Sequence, residues 1–193
     1  MYRAEDEALR RHVALKVLSP ALAADPDQKA RFLNAARAAA LVMHPHVAAI
    51  HEVGESGARV WVATELVEGP TLRSRLTGRP LLLLDTLRIG EQVAEGLAAA
   101  HERNLAHGDL RPEKVVLGPG GHVKVVGLGL GGEESGPGEE MYGRGEDLGA
   151  KEGSQAYDTR TDVYRLGVML YEMATGRALV AEAGRTLAVS VIG

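Results

Sequence analysis

The chain has 193 residues, enough to bury one sizeable core or two small ones. Its formal charge of -4 leaves no basic footprint for nucleic acid, and the lack of any cysteine excludes a disulfide framework or a thiolate metal site. No apolar run approaches bilayer-spanning length, Leu81 to Leu84 being only a short patch, and no secretory signal is visible, so a cytoplasmic location is expected.

In chain order, Tyr2 to Leu18 opens with a charged, turn-like stretch and passes into a β-rich run, Val13 to Leu18. Asp25 and Pro26 start a helix, with Asp at the N-cap, Pro in the first turn and Gln28 three residues past the cap. Its Ala-rich body is expected to run to about Met43, where His44-Pro45 ends it, because the residue before a proline is pushed out of the α region. Val47 to Val53 and Arg59 to Val67 predict paired strands around a Gly-containing turn. A second unit begins near Pro70. Asp85 is expected to cap a helix reaching His101, with Leu87, Gly90, Val93, Ala94, Leu97 and Ala98 on its apolar stripe. Val115 to Leu117 and Val123 to Val126 form a hairpin through Gly118-Pro119-Gly120-Gly121. Gly131 to Gln155 is Gly-rich, acidic and nearly free of apolar residues, a composition that predicts mobility. From Thr161 to Thr175 apolar residues fall on every side, as in a helix buried all round, and Gly176 stops it. No internal repeat is present.

Four segments carry chemistry. His107-Gly108-Asp109-Leu110-Arg111-Pro112-Glu113-Lys114-Val115-Val116-Leu117, followed by Val123-Lys124-Val125-Val126-Gly127-Leu128-Gly129-Leu130, resembles the catalytic loop and metal-binding strand of a protein kinase. Val13-Ala14-Leu15-Lys16 resembles the strand whose Lys contacts the nucleotide phosphates. Thr64-Glu65-Leu66-Val67-Glu68-Gly69 looks like the hinge between two lobes, and Thr161-Asp162-Val163-Tyr164-Arg165-Leu166-Gly167 like the start of the central helix of the large lobe. One such segment would be weak, but four in family order resemble the bacterial Ser/Thr kinases over roughly residues 1 to 180. The resemblance implies an α+β, two-lobed, protein-kinase-like fold. Residues 1–69 would be a partial β-rich N-lobe whose first strand and Gly-rich loop are missing. Residues 70–193 would be a partial helical C-lobe lacking its last helices, with 131–155 as a mobile activation-like segment.

It also implies roles. Lys16 would face the phosphates, its bland alternative being a surface lysine at a strand end. Asp109 would be the catalytic base, or else an organiser of the loop backbone. Arg111 stands where a Lys usually touches the transferred phosphate, exchanging a point charge for a planar fork. Ala14 and Val116 would sandwich adenine, with Glu65 and Val67 presenting hinge backbone groups. His107 would pack beneath the loop.

The departures from the pattern weigh most. Lys114 replaces the Asn and Gly127 the Asp that hold magnesium, an ion that requires oxygen ligands in octahedral geometry. Ala35 replaces the Glu that aims Lys16, and Gly108 replaces the Arg that binds a phosphate on the activation segment. Losing one stabiliser of transition-state charge costs on the order of 3 kcal/mol, and losses within one catalytic unit do not sum. Acids downstream, Glu133, Glu134, Glu139 and Glu140, could ligate only at the entropic cost of ordering their segment.

The resemblance therefore implies a catalytically inactive pseudokinase acting as a binding or regulatory module, with weak ATP binding, no magnesium site, a protein partner, and a tendency to self-associate. Two alternatives stand beside it. One is a Ser/Thr kinase that transfers the ATP γ-phosphate to protein hydroxyls, with Lys114 replacing the charge of the ion. The other is a truncated piece of a longer receptor-like kinase.

Overall fold

The structure, a computed structural model, describes residues 1–130 and 159–179. Four antiparallel strands form the first sheet, in the order β1 (Tyr2–Asp6), β2 (Arg11–Val17), β4 (Arg59–Glu65), β3 (Ile50–Ser56). The central strands β2 and β4 carry the Val and Ala residues that pack inward, in a register pairing Leu15 with Ala63 and Lys16 with Val62. Strand β1 occupies the stretch expected to be turn-like. Its charged residues suit an edge strand, where most of its side chains meet solvent. The turn itself is Asp6 to Arg11, held by the Leu9 N–H donating to Asp6 Oδ1 at 3.0 Å.

Helix α1 (Pro20–Ala24) leads directly into α2 (Pro26–Ala40). Asp25 caps α2 as the sequence predicts, accepting from the N–H groups of Asp27 and Gln28. The helix stops three residues short of Met43, because Leu41 and Val42 turn back onto Ala38 and Ala39 in tighter hydrogen bonds. Phe32, Leu33 and Ala36 of α2 close over Leu18, Val60 and Val62 of the sheet, and Leu130 joins this core.

The helical half contains α3 (Leu72–Arg75), α4 (Leu83–His101) and α5 (Thr159–Thr175), with a short hairpin of β5 (Val115–Leu117) and β6 (Val123–Val125). Its core joins Leu72, Val93, Leu97, Leu110, Val115, Val125, Met169 and Met173. Three expectations for these helices need correction. Asp85 does not cap α4: the helix begins at Leu83, and Asp85 lies inside the first turn, where its charge favours the helix dipole. The buried stripe is Thr86, Ile89, Gly90, Val93, Gly96, Leu97 and Ala100, while Leu87, Ala94 and Ala98 face outward. Helix α5 is buried along one face only, with Val163, Tyr164 and Tyr171 exposed. That buried face is partly polar, because Asp162, Arg165 and Glu172 hold other elements in place.

The halves are stitched together behind the sheet. His46 O accepts from Val125 N–H and Val125 O from Ala48 N–H, both at 2.9 Å, so the segment after α2 runs along β6. A third core of Ala39, Val42, Val47, Ala100 and Leu128 fills the junction.

Candidate active site

The loop from His107 to Lys114 is suspended from α5. Asp162 is fully buried in the first turn of that helix. Its Oδ2 accepts from His107 N–H at 2.7 Å and lies 2.8 Å from His101 Nε2, and its Oδ1 accepts from Gly108 N–H at 3.1 Å. One turn along, buried Arg165 donates from Nη1 to Gly108 O at 2.6 Å. Both polar groups of Gly108 are thus fixed from the core, in a left-handed conformation (φ 78°) that glycine adopts without strain. Leu110 drives the other end of the loop into the main core.

His107 lies beneath the loop, as expected. Its Nδ1 accepts from Asp109 N–H at 3.2 Å, which leaves Nε2 to donate to Val126 O at 3.2 Å and fixes the neutral tautomer. Burial pushes its pKa down, outweighing the opposite pull of Asp162 and Asp109.

Asp109 meets two cations. Arg111 Nε is 3.2 Å from Oδ1, a charge contact without the angle of a hydrogen bond, and Lys114 Nζ is 3.5 Å from Oδ2. Lys114 also runs past Gly127: a Cβ built on Gly127 would meet only Lys114 Cδ, at 3.9 Å. The positions of both expected metal ligands therefore hold one ammonium group and one absent side chain. Among the described residues no group of three His, Cys, Asp or Glu could hold a metal ion. Magnesium does not fit the donors among the described residues, where Asp109 is the carboxylate at this position and two cations already share it.

Lys16 is 8 % exposed, lies 5.9 Å from the centre of the Phe32 ring, and donates to Leu130 O at 2.5 Å. Ala35 faces the same stretch of chain, its carbonyl oxygen 3.6 Å from where a Cβ on Gly129 would stand. Position 35 carries no acid, and the Leu130 carbonyl is one of the partners of Lys16. Glu133, Glu134, Glu139 and Glu140 lie outside the described residues, as does all of 131–155.

At the hinge, Ala14 and Val116 are buried and Val67 is half-buried. Glu65 gives its N–H to Ala49 O at 2.8 Å, and its side chain accepts from Ala49 N–H at 3.2 Å and from Lys124 Nζ at 2.8 Å. Sequence reasoning missed three supports of this site. Asp162 and Arg165 sat in a recognised motif without an assigned task, and the Glu65–Lys124 pair joins positions 59 residues apart, with no local signal. The third is Arg73, which bonds Glu113 and Glu172 and ties α3 to the loop and to α5. Burial lowers the Arg73 pKa, but the hydrogen bonds to Glu172 and Glu113 outweigh it and leave it raised.

The comparisons with known proteins agree with this architecture. The protein kinase domain family matches residues 1–191. Serine/threonine-protein kinase PrkC of Bacillus subtilis is 31% identical over 183 residues, which cover 92% of this chain and 28% of PrkC. Serine/threonine-protein kinase PknA of Mycobacterium tuberculosis is 34% identical over 193 residues, covering 92% of this chain and 44% of PknA. The crystal structure of the M. tuberculosis PknI kinase domain superposes with a TM-score of 0.74 at 30% identity, covering 96% of this chain and 70% of that one. The chain spans less than half the length of these two curated relatives. A β-sheet lobe, a helical lobe, a hinge, and a loop hung from the central helix in family order place the chain in the protein kinase family.

Proposed function

We propose that the chain is a bacterial Ser/Thr-kinase-like module that binds and regulates rather than transfers phosphate, with lobes dividing at residues 69 and 70. The observation that carries this reading is Lys114. Its ammonium lies 3.5 Å from Asp109, beside Gly127, where the chemistry of the family calls for metal-binding oxygens. Phosphoryl transfer depends on positioning and on charge at the phosphates, and an ammonium in place of a metal ligand leaves both incomplete. ATP, where it binds, lies weakly between Ala14 and Val116 with its phosphates toward Lys16. The site acts through a protein partner. No described helix is long and apolar enough to cross a membrane, and a cytoplasmic location is part of the proposal.

A second reading has its own support. The relatives reported above are named as Ser/Thr kinases, and taken alone they favour an active enzyme. The sequence also keeps Lys16, Asp109 and Arg111, residue types that suit this chemistry. In that reading Asp109 takes the proton of a protein hydroxyl and Lys114 supplies the missing positive charge.

Transfer of labelled γ-phosphate from ATP, to the chain itself and to a generic protein substrate, separates the two. No incorporation above background is expected. Sustained incorporation that disappears in Asp109→Asn establishes the second reading.

A further inference from the structure

A cleft of about 220 Å³ opens where the end of α3, the start of α4 and the hairpin of β5 and β6 meet. None of its lining residues belongs to the loop from His107 to Lys114 or to the hinge. Leu117 reaches it from β5 as the neighbour of Val116, and successive residues of a strand face opposite ways. The floor is apolar: Leu81, Ile89, Leu117 and Val123, of which Ile89 and Val123 also belong to the main core. The walls are tied together. Gln92 Nε2 donates to Arg88 O at 3.2 Å and to Gly121 O at 3.1 Å, and its Oε1 accepts from Val123 N–H at 2.9 Å, which fastens the hairpin to α4. Leu81 N–H donates to Met173 O at 2.8 Å. The rim is charged. Arg75 and Arg88 stand exposed on it with His122, against one carboxylate, Asp85. Among the described residues, none of these four side chains has a hydrogen-bond or ion-pair partner.

From this we infer that the cleft docks an acidic peptide segment of a protein partner, with one apolar side chain entering the floor and flanking carboxylates meeting Arg75 and Arg88. The inference deepens the reading given above, that the chain acts through a protein partner, and rests on it. Three observations choose the occupant. The volume lies below the range of about 300–1,000 Å³ that drug-sized ligands fill, and suits a single side chain. The floor is preformed, the setting in which one buried anchor supplies much of the affinity of an interface. The rim offers two guanidinium groups, each able to bind a carboxylate through two parallel hydrogen bonds. Nucleic acid is the poorer match, because it brings no aliphatic side chain for the floor and would meet a protein of overall charge -4.

The test is fluorescence polarisation on the full chain with labelled nine-residue peptides, without nucleotide and at about 0.15 M salt, where long-range attraction is screened. The probe has a central Leu with two Glu on either side. The comparisons are the same peptide with Ser at the centre, the same peptide with Lys for Glu, and a single-stranded oligonucleotide of equal charge. The Leu–Glu peptide is expected to bind at least about tenfold more tightly than the Ser peptide, the scale of burying one leucine. The Lys peptide and the oligonucleotide should bind no better than the Ser peptide. Arg75→Glu combined with Arg88→Glu should weaken the Leu–Glu peptide by about tenfold or more. Both arginines are exposed, so the double variant should melt as wild type does, and the anchor is varied on the peptide, where folding plays no part. No binding of the Leu–Glu peptide at millimolar concentration, equal binding of any comparison, or undiminished affinity in the double variant would each overturn the inference. The assay reads no transfer. Labelled phosphate found on protein would defeat the reading of function, while the peptide titrations would still decide the cleft.

Discussion

At position 127 the backbone has φ 79°, and a Cβ there meets only the flexible Lys114 side chain. Asp tolerates this left-handed region better than most residues, so Gly127→Asp should cost only about 1 kcal/mol of strain. Combined with Lys114→Asn and Ala35→Glu, it should create a magnesium site, read as a magnesium-dependent rise in Tm that wild type lacks. Phosphate transfer should recover less than metal binding, because position and charge must then both be right. Brisk autophosphorylation by the triple variant would show that these three residues alone account for the deficit. His107 gives a second expectation at this scale. It is buried neutral, with its pKa below the ordinary imidazole value of about 6.5, so the unfolded chain binds the extra proton first. Its contribution to stability is complete above pH 6.5 and declines as pH falls through that value, by at most about 1.4 kcal/mol per pH unit. Burial and Arg11 also lower the pKa of His51, which adds to the same window. Thermal melts between pH 7.5 and 5.5 should show the decline, and His107→Gln should flatten its slope. An unchanged slope would place the proton elsewhere.

Among the elements, the crossing of α4 with the segment after α2 is a close junction. A Cβ on Gly96 would lie 2.9 Å from His46 O, a backbone atom held by Val125 N–H. Ala would gain about 1 kcal/mol of helix propensity over Gly, while overpacking against an immobile carbonyl costs about 1–3 kcal/mol. Gly96→Ala should therefore destabilise by about 1 kcal/mol net, measured by urea unfolding. A stabilised variant would mean that the segment at His46 yields. The same helix shows where sequence reasoning succeeds and fails. Its existence and its end at His101 were legible from helical spacing, but the rotation of its stripe was not. Leu87, Ala94 and Ala98 are as suitable for a core as Ile89 and Val93, and the choice is made by Leu170 of α5 and by the hairpin, which are distant in sequence. Asp25 was legible as a cap because capping is local. Asp85 was not, because nothing local distinguishes the cap from the first turn. At the site, the residue types of the motifs were readable one by one. The contact of Lys114 with Asp109 and the support of Gly108 by Arg165 required the fold.

Over the whole molecule, apolar surface is unevenly distributed. Leu82, Leu83 and Leu84 at the start of α4 are each about two-thirds exposed or more, with Leu87 one turn on and Val163 exposed on α5. Contiguous apolar surface beyond a few hundred Å² marks an interface or an aggregation liability. Self-association of the chain is therefore expected, read by light scattering as a mass that rises with concentration, and Leu83→Lys with Leu87→Lys should reduce it. A monomer at all concentrations would assign these leucines a solvent-facing role.

The suspension of Gly108 from Asp162 and Arg165 has a consequence for how such a protein could carry information. A loop in which the N–H and C=O of Gly108 are both tied to buried side chains of α5 has its shape decided when the domain folds. It has no guanidinium of its own at position 108 to wait for a covalent mark on the acidic stretch that follows. A partner docking there would meet a preorganised surface, and little conformational entropy would be lost on association.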